Sequence, residues 1–221
     1  MKVLVVAAHP DDEAAGAGCA IARHVHAGDS VSTMFLTDGV GARATARDAD
    51  AALRRRCAEK AAAILGYRDL HFLSFPDNGL DTVPLLEVAR AVEKVAADVD
   101  PDIIYTHHAS DLNVDHKIAL RAALTCFRPL PASKVKCIMA FEVPSATGWD
   151  FDAAPFRPNV FLDAESWLAR KLNALDAYEA EIRPFPHARS RMSLEARAVA
   201  WGSQVGMVAA EPFVLIREIV K

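Results

Sequence analysis

His9, Asp11 and Asp12 stand within four positions of one another in the run Ala7-Ala8-His9-Pro10-Asp11-Asp12-Glu13, directly after a short apolar segment. An imidazole and three carboxylates at the end of a buried segment concentrate negative charge where water is scarce, which is costly unless a cation compensates. A divalent metal is the simplest compensator. Zinc accepts imidazole nitrogen and carboxylate oxygen, and its catalytic sites keep a coordination position open. A second polar run, Thr106-His107-His108 and then Asp111-Leu112-Asn113-Val114-Asp115-His116, offers another imidazole. His9 and Asp12, three residues apart across a turn, and His116 are therefore the candidate ligands. Asp11 is left beside the ion, placed to take a proton from water and later return it to a leaving group.

Other readings compete with this one. A lone histidine after a strand is more often a hydrogen-bonded turn residue than a ligand, but three carboxylates beside it reverse that balance. A receiver domain also places an acidic pair after its first strand and would use Asp11 and Asp12 for magnesium. It needs an acceptor aspartate ending its central strand, which the segment Asp69–Gly79 does not supply, and it leaves His9 and His116 without a role. Gly16-Ala17-Gly18 lacks the spacing and the preceding strand of a dinucleotide loop and reads as a close-packed helix face.

The elements that must position these residues follow from hydrophobic patterning. Apolar runs predict strands at 2–8, 31–37, 69–73, 102–107, 134–141 and 159–162, with helices at 13–27, 49–65, 83–98, 115–127, 164–181 and 191–203. The alternation predicts an α/β, Rossmann-like three-layer sandwich with a mainly parallel sheet, strand order 3-2-1-4-5 plus C-terminal additions. In that order the crevice opens between the carboxyl ends of the first and fourth strands, where the two polar runs lie. No Gly- or Ser-rich linker divides residues 1–221, so a single domain is expected, with 128–131 and 184–186 as proline turns.

Composition narrows the partners. A formal charge of −4, with Lys and Arg scattered, argues against nucleic acid, and no apolar run approaches the ~18 residues of a membrane span. The start of the chain lacks the apolar core of a signal peptide, so a soluble cytoplasmic protein is expected. Cys19, Cys57, Cys126 and Cys137 stand singly and read as buried free thiols.

The AHPDDE run with DLNVDH downstream resembles the PIG-L/LmbE-like family of N-acetylglucosaminyl deacetylases. The likeness extends to Thr37-Asp38-Gly39, to Arg56 and Glu59 on a helix running to Leu65-Gly66, and to Phe75-Pro76-Asp77. It implies a Rossmann-like fold and zinc, or another divalent ion such as Fe2+, used to remove acetyl groups from amino-sugar conjugates. It assigns His9, Asp12 and His116 as ligands and Asp11 as general base and acid. The implied assembly is a homo-oligomer, trimer or hexamer. Another amide, such as a thiol conjugate, is an alternative substrate, and a non-catalytic metal- or sugar-binding module is an alternative function.

One departure stands out: relatives carry a histidine where this chain has Asn113, a neutral amide able to donate a hydrogen bond to an oxyanion but unable to supply charge. His187, in Arg183-Pro184-Phe185-Pro186-His187-Ala188-Arg189-Ser190, is the candidate replacement, from its own or a neighbouring subunit; incidental charge on a surface loop is the competing reading. Arg56 and Asp77 resemble positions that bind sugar hydroxyls in relatives. Glu142, on the same carboxyl edge, is a third candidate, and each could instead be a structural ion-pair partner. Asp115 is expected to orient a ligand histidine. His107 and His108 are expected behind the ligands or at the rim, and Trp149, Trp167 and Trp201 wall either a sugar site or the core.

Overall fold

A computed structural model describes residues 1–42, 48–131 and 133–220. Strands β1 (Lys2–Ala7), β2 (Ser30–Thr37), β3 (Asp69–Phe75), β4 (Ile103–His107) and β5 (Cys137–Phe141) pair in parallel. The remaining strands, β6 (Val160–Asp163) and β7 (Ala210–Glu218), complete a sheet of order β3-β2-β1-β4-β5-β7-β6, with β7 antiparallel to both β5 and β6. The predicted 3-2-1-4-5 order is thus the observed one.

β1 is central because it can be covered on both sides. Its residues Val3, Val5 and Ala7 enter one apolar core, while Leu4 and Val6, with Ala8 beyond the strand, enter the other. The first core is closed by α1 (Asp12–His26), α2 (Asp48–Leu65), α5 (Leu168–Asp176) and α6 (Arg191–Gln204). The second lies under α3 (Leu85–Val99) and α4 (Val114–Cys126). Period-two alternation of one strand between two cores is the physical origin of the three layers.

Two elements differ from expectation. β7 was not anticipated, because Pro212 and the charges of Glu211, Arg217 and Glu218 interrupt an apolar run that nonetheless pairs Phe213 with Phe141 and Leu215 with Met139. Helix α5 is shorter than the expected 164–181, and the chain after it turns at Tyr178–Glu181.

Helix α1 is kinked at Ala17 (φ −136°, ψ 19°). There the amides of Cys19 and Ala20 donate to the Glu211 carboxylate of β7, at 3.0 and 2.7 Å, and Lys171 of α5 neutralises it at 2.7 Å. Gly16 and Gly18 flank the kink as a close-packed face: a Cβ on Gly16 would lie 2.1 Å from Phe141, and one on Gly18 2.8 Å from Lys171. All four cysteines are free; Cys19 and Cys137 are buried, and Cys57 and Cys126 half-buried. Among the described residues no helix is long and apolar enough to cross a membrane.

Candidate metal centre and active site

The order of the sheet reverses between β1 and β4, so the turns leaving their carboxyl ends face each other across a crevice. His9 leaves β1 through a turn, and Asp12 begins α1. His116 sits in the first turn of α4. All three are buried. His9 Nδ1 lies 3.1 Å from Asp12 Oδ2 and 3.1 Å from His116 Nε2, and His116 Nε2 lies 3.3 Å from Asp12 Oδ2. Tetrahedral zinc with ligand bonds of about 2.0–2.1 Å spaces neighbouring donors by roughly 3.3 Å, close to every edge of this triangle. Asp12 Oδ1 is buried without a hydrogen-bond partner, a costly arrangement that a cation would relieve. The donor set therefore fits a divalent metal.

Carboxylates behind the triangle aim the imidazoles. His9 Nε2 faces Asp115 at 3.0 Å and Asp77 at 3.3 Å, which keeps its proton on that side and turns the Nδ1 lone pair inward. Asp115 in turn accepts the backbone N–H groups of Asn78 and Leu80 at 2.7 and 3.0 Å. The Asp111 carboxylate lies 2.9 Å from His116 Nδ1, off the ideal N–H direction, and is fixed by the Thr147 hydroxyl at 2.8 Å. His107 accepts the Ala8 N–H at Nε2 (2.9 Å) and stacks on His116 with ring centres 4.0 Å apart. Burial, helped by the His116 charge, holds the His107 imidazole well below its usual range.

The charges of the three donors depend strongly on one another. Burial pushes the His116 imidazole down, but Asp12 and Asp111 more than offset this and lift it to about 9. His9 behaves the same way: burial disfavours its charge, yet Asp115, Asp12 and Asp77 hold it well above the ordinary value. Asp12 opposes its own burial through His116 and His107 and stays well below the carboxylate range.

Asp11 stands apart from the triangle. Its backbone φ of 128° is a conformation that L side chains rarely adopt, at a cost of about 1–3 kcal/mol. The Glu13 carboxylate holds it there by accepting the Asp11 N–H at 3.0 Å, and the Tyr178 hydroxyl donates to Glu13 at 2.7 Å. Asp11 Oδ2 receives Arg189 Nη1 at 3.0 Å and Arg54 Nη2 at 3.4 Å. Glu181 links the two arginines, 2.9 Å from Arg54 and 3.2 Å from Arg189. Burial raises the Asp11 carboxyl above its ordinary value even against both guanidiniums. A carboxylate poised in that way beside a donor triangle able to hold a metal is suited to moving protons.

Several expected site residues sit elsewhere. Arg56 is exposed on α2, on the wall of an open cleft of about 600 Å³, and Arg54 is the α2 arginine that reaches Asp11. His187 is exposed; its Nδ1 accepts the Arg189 N–H at 3.0 Å, shaping the turn from which Arg189 enters. Asn113 caps α4, accepting the Asp115 N–H at 2.8 Å and donating to Asn78 at 3.1 Å, so part of its amide is already engaged. Asp77 is turned inward, receiving the Ala42 N–H at 3.0 Å besides facing His9, and is no longer an open sugar ligand. Glu142 is held by Arg197 at 2.8 Å and by Trp201 at 2.8 Å, which anchors α6 to the end of β5. Of the remaining candidates, His108 bonds Ser110 at 2.8 Å, Trp167 packs on His26, and Trp149 is 58% exposed.

Sequence reasoning missed Arg54, Arg189, Glu181, Asp111, Glu13 and Thr147. A signal existed for the first: Arg54 continues the buried stripe Ala58, Ala61, Ala62 and Leu65 one turn toward the start of α2, whereas Arg56 falls off it.

The sheet and its crevice place the chain among Rossmann-like α/β proteins with a metal-competent centre at the switch point. Within that class it belongs to the PIG-L family, whose sequence model, described as GlcNAc-PI de-N-acetylase, matches residues 4–127. A diacetylchitobiose deacetylase from Thermococcus kodakarensis is 29% identical over 194 residues, covering 81% of this chain and 70% of the relative. The N,N'-diacetylchitobiose deacetylase of Pyrococcus horikoshii, solved with its inhibitor MPG, has a similar fold (TM-score 0.79, 22% identity, 98% of this chain and 84% of that one). The fold is also that of GalB, the 4-carboxy-2-hydroxymuconate hydratase of Pseudomonas putida (TM-score 0.74, 23% identity, 100% and 98% covered).

Proposed function

We propose that this chain is a metal-dependent N-deacetylase that hydrolyses the acetamide of an N-acetylglucosamine-type conjugate. One observation carries the reading: a near-equilateral His9–Asp12–His116 donor triangle with a strained, arginine-flanked Asp11 outside it. Its membership of a deacetylase family, and the deacetylase named among its sequence relatives, support the same reaction. His9, Asp12 and His116 would hold the ion, most simply zinc, with Fe2+ as the alternative. When bound, it supplies Lewis acidity toward the acyl oxygen and water.

The chain's own residues do the rest. Asp77, Asp115 and Asp111 keep both imidazole rings oriented. Asp11 takes a proton from the attacking water and passes it to the departing amine, while Arg54 and Arg189 fix its carboxylate. Amide C–N cleavage then gives acetate and a free amine. Likeness of fold to a hydratase does not choose between reactions, because function resides in the site. Cytoplasmic location, action of residues 1–221 as one domain, and a trimeric or hexameric assembly belong to the same proposal. Sequence patterning supports the first two and resemblance to the family the third; cell fractionation, limited proteolysis and light scattering check them in turn.

The test is elemental analysis of wild type and His116→Ala, with acetate release from a panel of N-acetylglucosamine conjugates. Near-stoichiometric zinc or iron, lost in the variant, and acetate from any conjugate are expected. A protein that takes up no metal and releases no acetate after metal addition would overturn the reading; release from a thiol-conjugated amide alone would redirect it to that substrate.

A further inference from the structure

A small, partly open cavity lies between the start of α1, the end of β5, and helices α5 and α6. It gives the centre of a water-sized sphere about 20 Å³, and on that measure roughly 10–15 Å³ already admits one water. There is room for one methyl-sized group and no more. The surface it presents is mostly hydrocarbon, from Ala15, Val143, Pro144, Leu175, Ile182 and Leu194. Ser145, Tyr178 and Glu181 complete the lining, and an empty hole forfeits packing.

The polar groups on the boundary locate it. Asp11 and Asp12, the base and a ligand in the function proposed above, both border the cavity, as does Arg189. The unpartnered oxygen Oδ1 belongs to that same Asp12. A methyl-sized apolar hole beside the metal triangle and its base is the shape required by the methyl group of an acetamide whose carbonyl is at that centre.

We infer that this cavity is the acyl pocket of the enzyme, and that Val143 and Leu194 set its depth, so that N-acetyl groups are accepted and longer N-acyl chains refused. The inference rests on the deacetylase reading for its chemistry, but the pocket itself can be tested separately. One methylene in a hydrophobic pocket is worth about 10- to 200-fold in discrimination.

The experiment compares kcat/KM of the metal-loaded protein for N-acetyl-, N-propionyl- and N-butyryl-glucosamine conjugates, in wild type, Val143→Ala and Leu194→Ala. Each variant is checked for folding by circular dichroism and for unchanged metal content. Wild type should lose at least tenfold from acetyl to propionyl, and each folded variant should raise the propionyl-to-acetyl ratio at least tenfold. A flat acyl profile in wild type, or an unchanged ratio in both variants, overturns the pocket. Val143→Ala removes less volume than Leu194→Ala, and the wild-type profile decides alone if neither folds.

A second readout needs no turnover: binding of acetate, propionate and butyrate to the metal-loaded protein by calorimetry. Acetate should bind at least tenfold more tightly than butyrate, with the difference narrowed in Val143→Ala; equal affinities overturn the pocket. If this discrimination is present and no amide is cleaved, the deacetylase reading fails while the pocket stands.

Discussion

Asp11 and its two arginines concentrate the most demanding chemistry of the chain into a few atoms. General acid–base groups typically contribute 10²- to 10⁴-fold, so Asp11→Asn is expected to lower kcat by about that factor while metal content by elemental analysis stays at the wild-type level. Loss of metal with activity would instead make Asp11 a ligand. The loop at 183–190 supplies a second contrast. Arg189 reaches Asp11 at 3.0 Å while His187 faces solvent. Hydrogen bonds to charged groups are worth about 1.5–3 kcal/mol, so Arg189→Met should lower kcat/KM roughly ten- to a hundredfold, and His187→Ala should stay within a few-fold. Steady-state kinetics on both variants would expose the reverse order. This contrast also shows what spacing reveals. His9, Asp12 and His116 are legible because each lies in a short polar run at the end of a strand. Arg54 and Arg189 reach one carboxylate from a helix and a distant loop, with Glu181 bridging them, and no local pattern records that meeting.

At the scale of elements, the sheet was largely readable because buried parallel strands are continuous apolar runs. β7 escaped because its charges serve tertiary partners. Glu211 accepts two amides freed by the kink in α1 and pairs with Lys171. Removing one partner of a buried ion pair costs about 3–5 kcal/mol, so Glu211→Ala should lower unfolding free energy by roughly that amount in urea titrations. A change below about 1 kcal/mol would mean that solvent satisfies the kink without it. Helix α1 also begins with Asp12, so this variant should weaken metal retention, whereas Glu211→Gln, which keeps an acceptor for one amide, should do so less.

For the whole molecule, the charge balance of the buried centre ties stability to pH. His116 is raised from 6.5 to about 9, so its contribution to the metal-free protein is complete below 6.5 and is lost as pH rises through about 9. Glu13, raised by burial from 4.5 to about 7, acts in the same direction at lower pH: the fold binds its proton more tightly than the unfolded chain does. The Tm of chelator-treated protein is therefore expected to fall between pH 6.5 and 9, and Glu13→Gln should flatten the part of the curve near pH 5–7. Metal uptake displaces those protons, so affinity should rise with pH across the same range. Calorimetric scans with and without metal check both; a metal-free Tm that rises with pH would refute the assignment of proton-holding imidazoles.

The tie between β7 and α1 also has a bearing on time. The amides of Cys19 and Ala20 wait for a carboxylate 192 and 191 positions later in the chain. At synthesis rates of about 5–20 residues per second, that interval lasts on the order of 10–40 s. During it the kink in α1, the helix that Asp12 begins, lacks the carboxylate that satisfies its amides, and His116 emerges partway through. A centre able to hold a metal therefore reaches its final geometry only once Glu211 has carried β7 into the sheet, late in the order of synthesis.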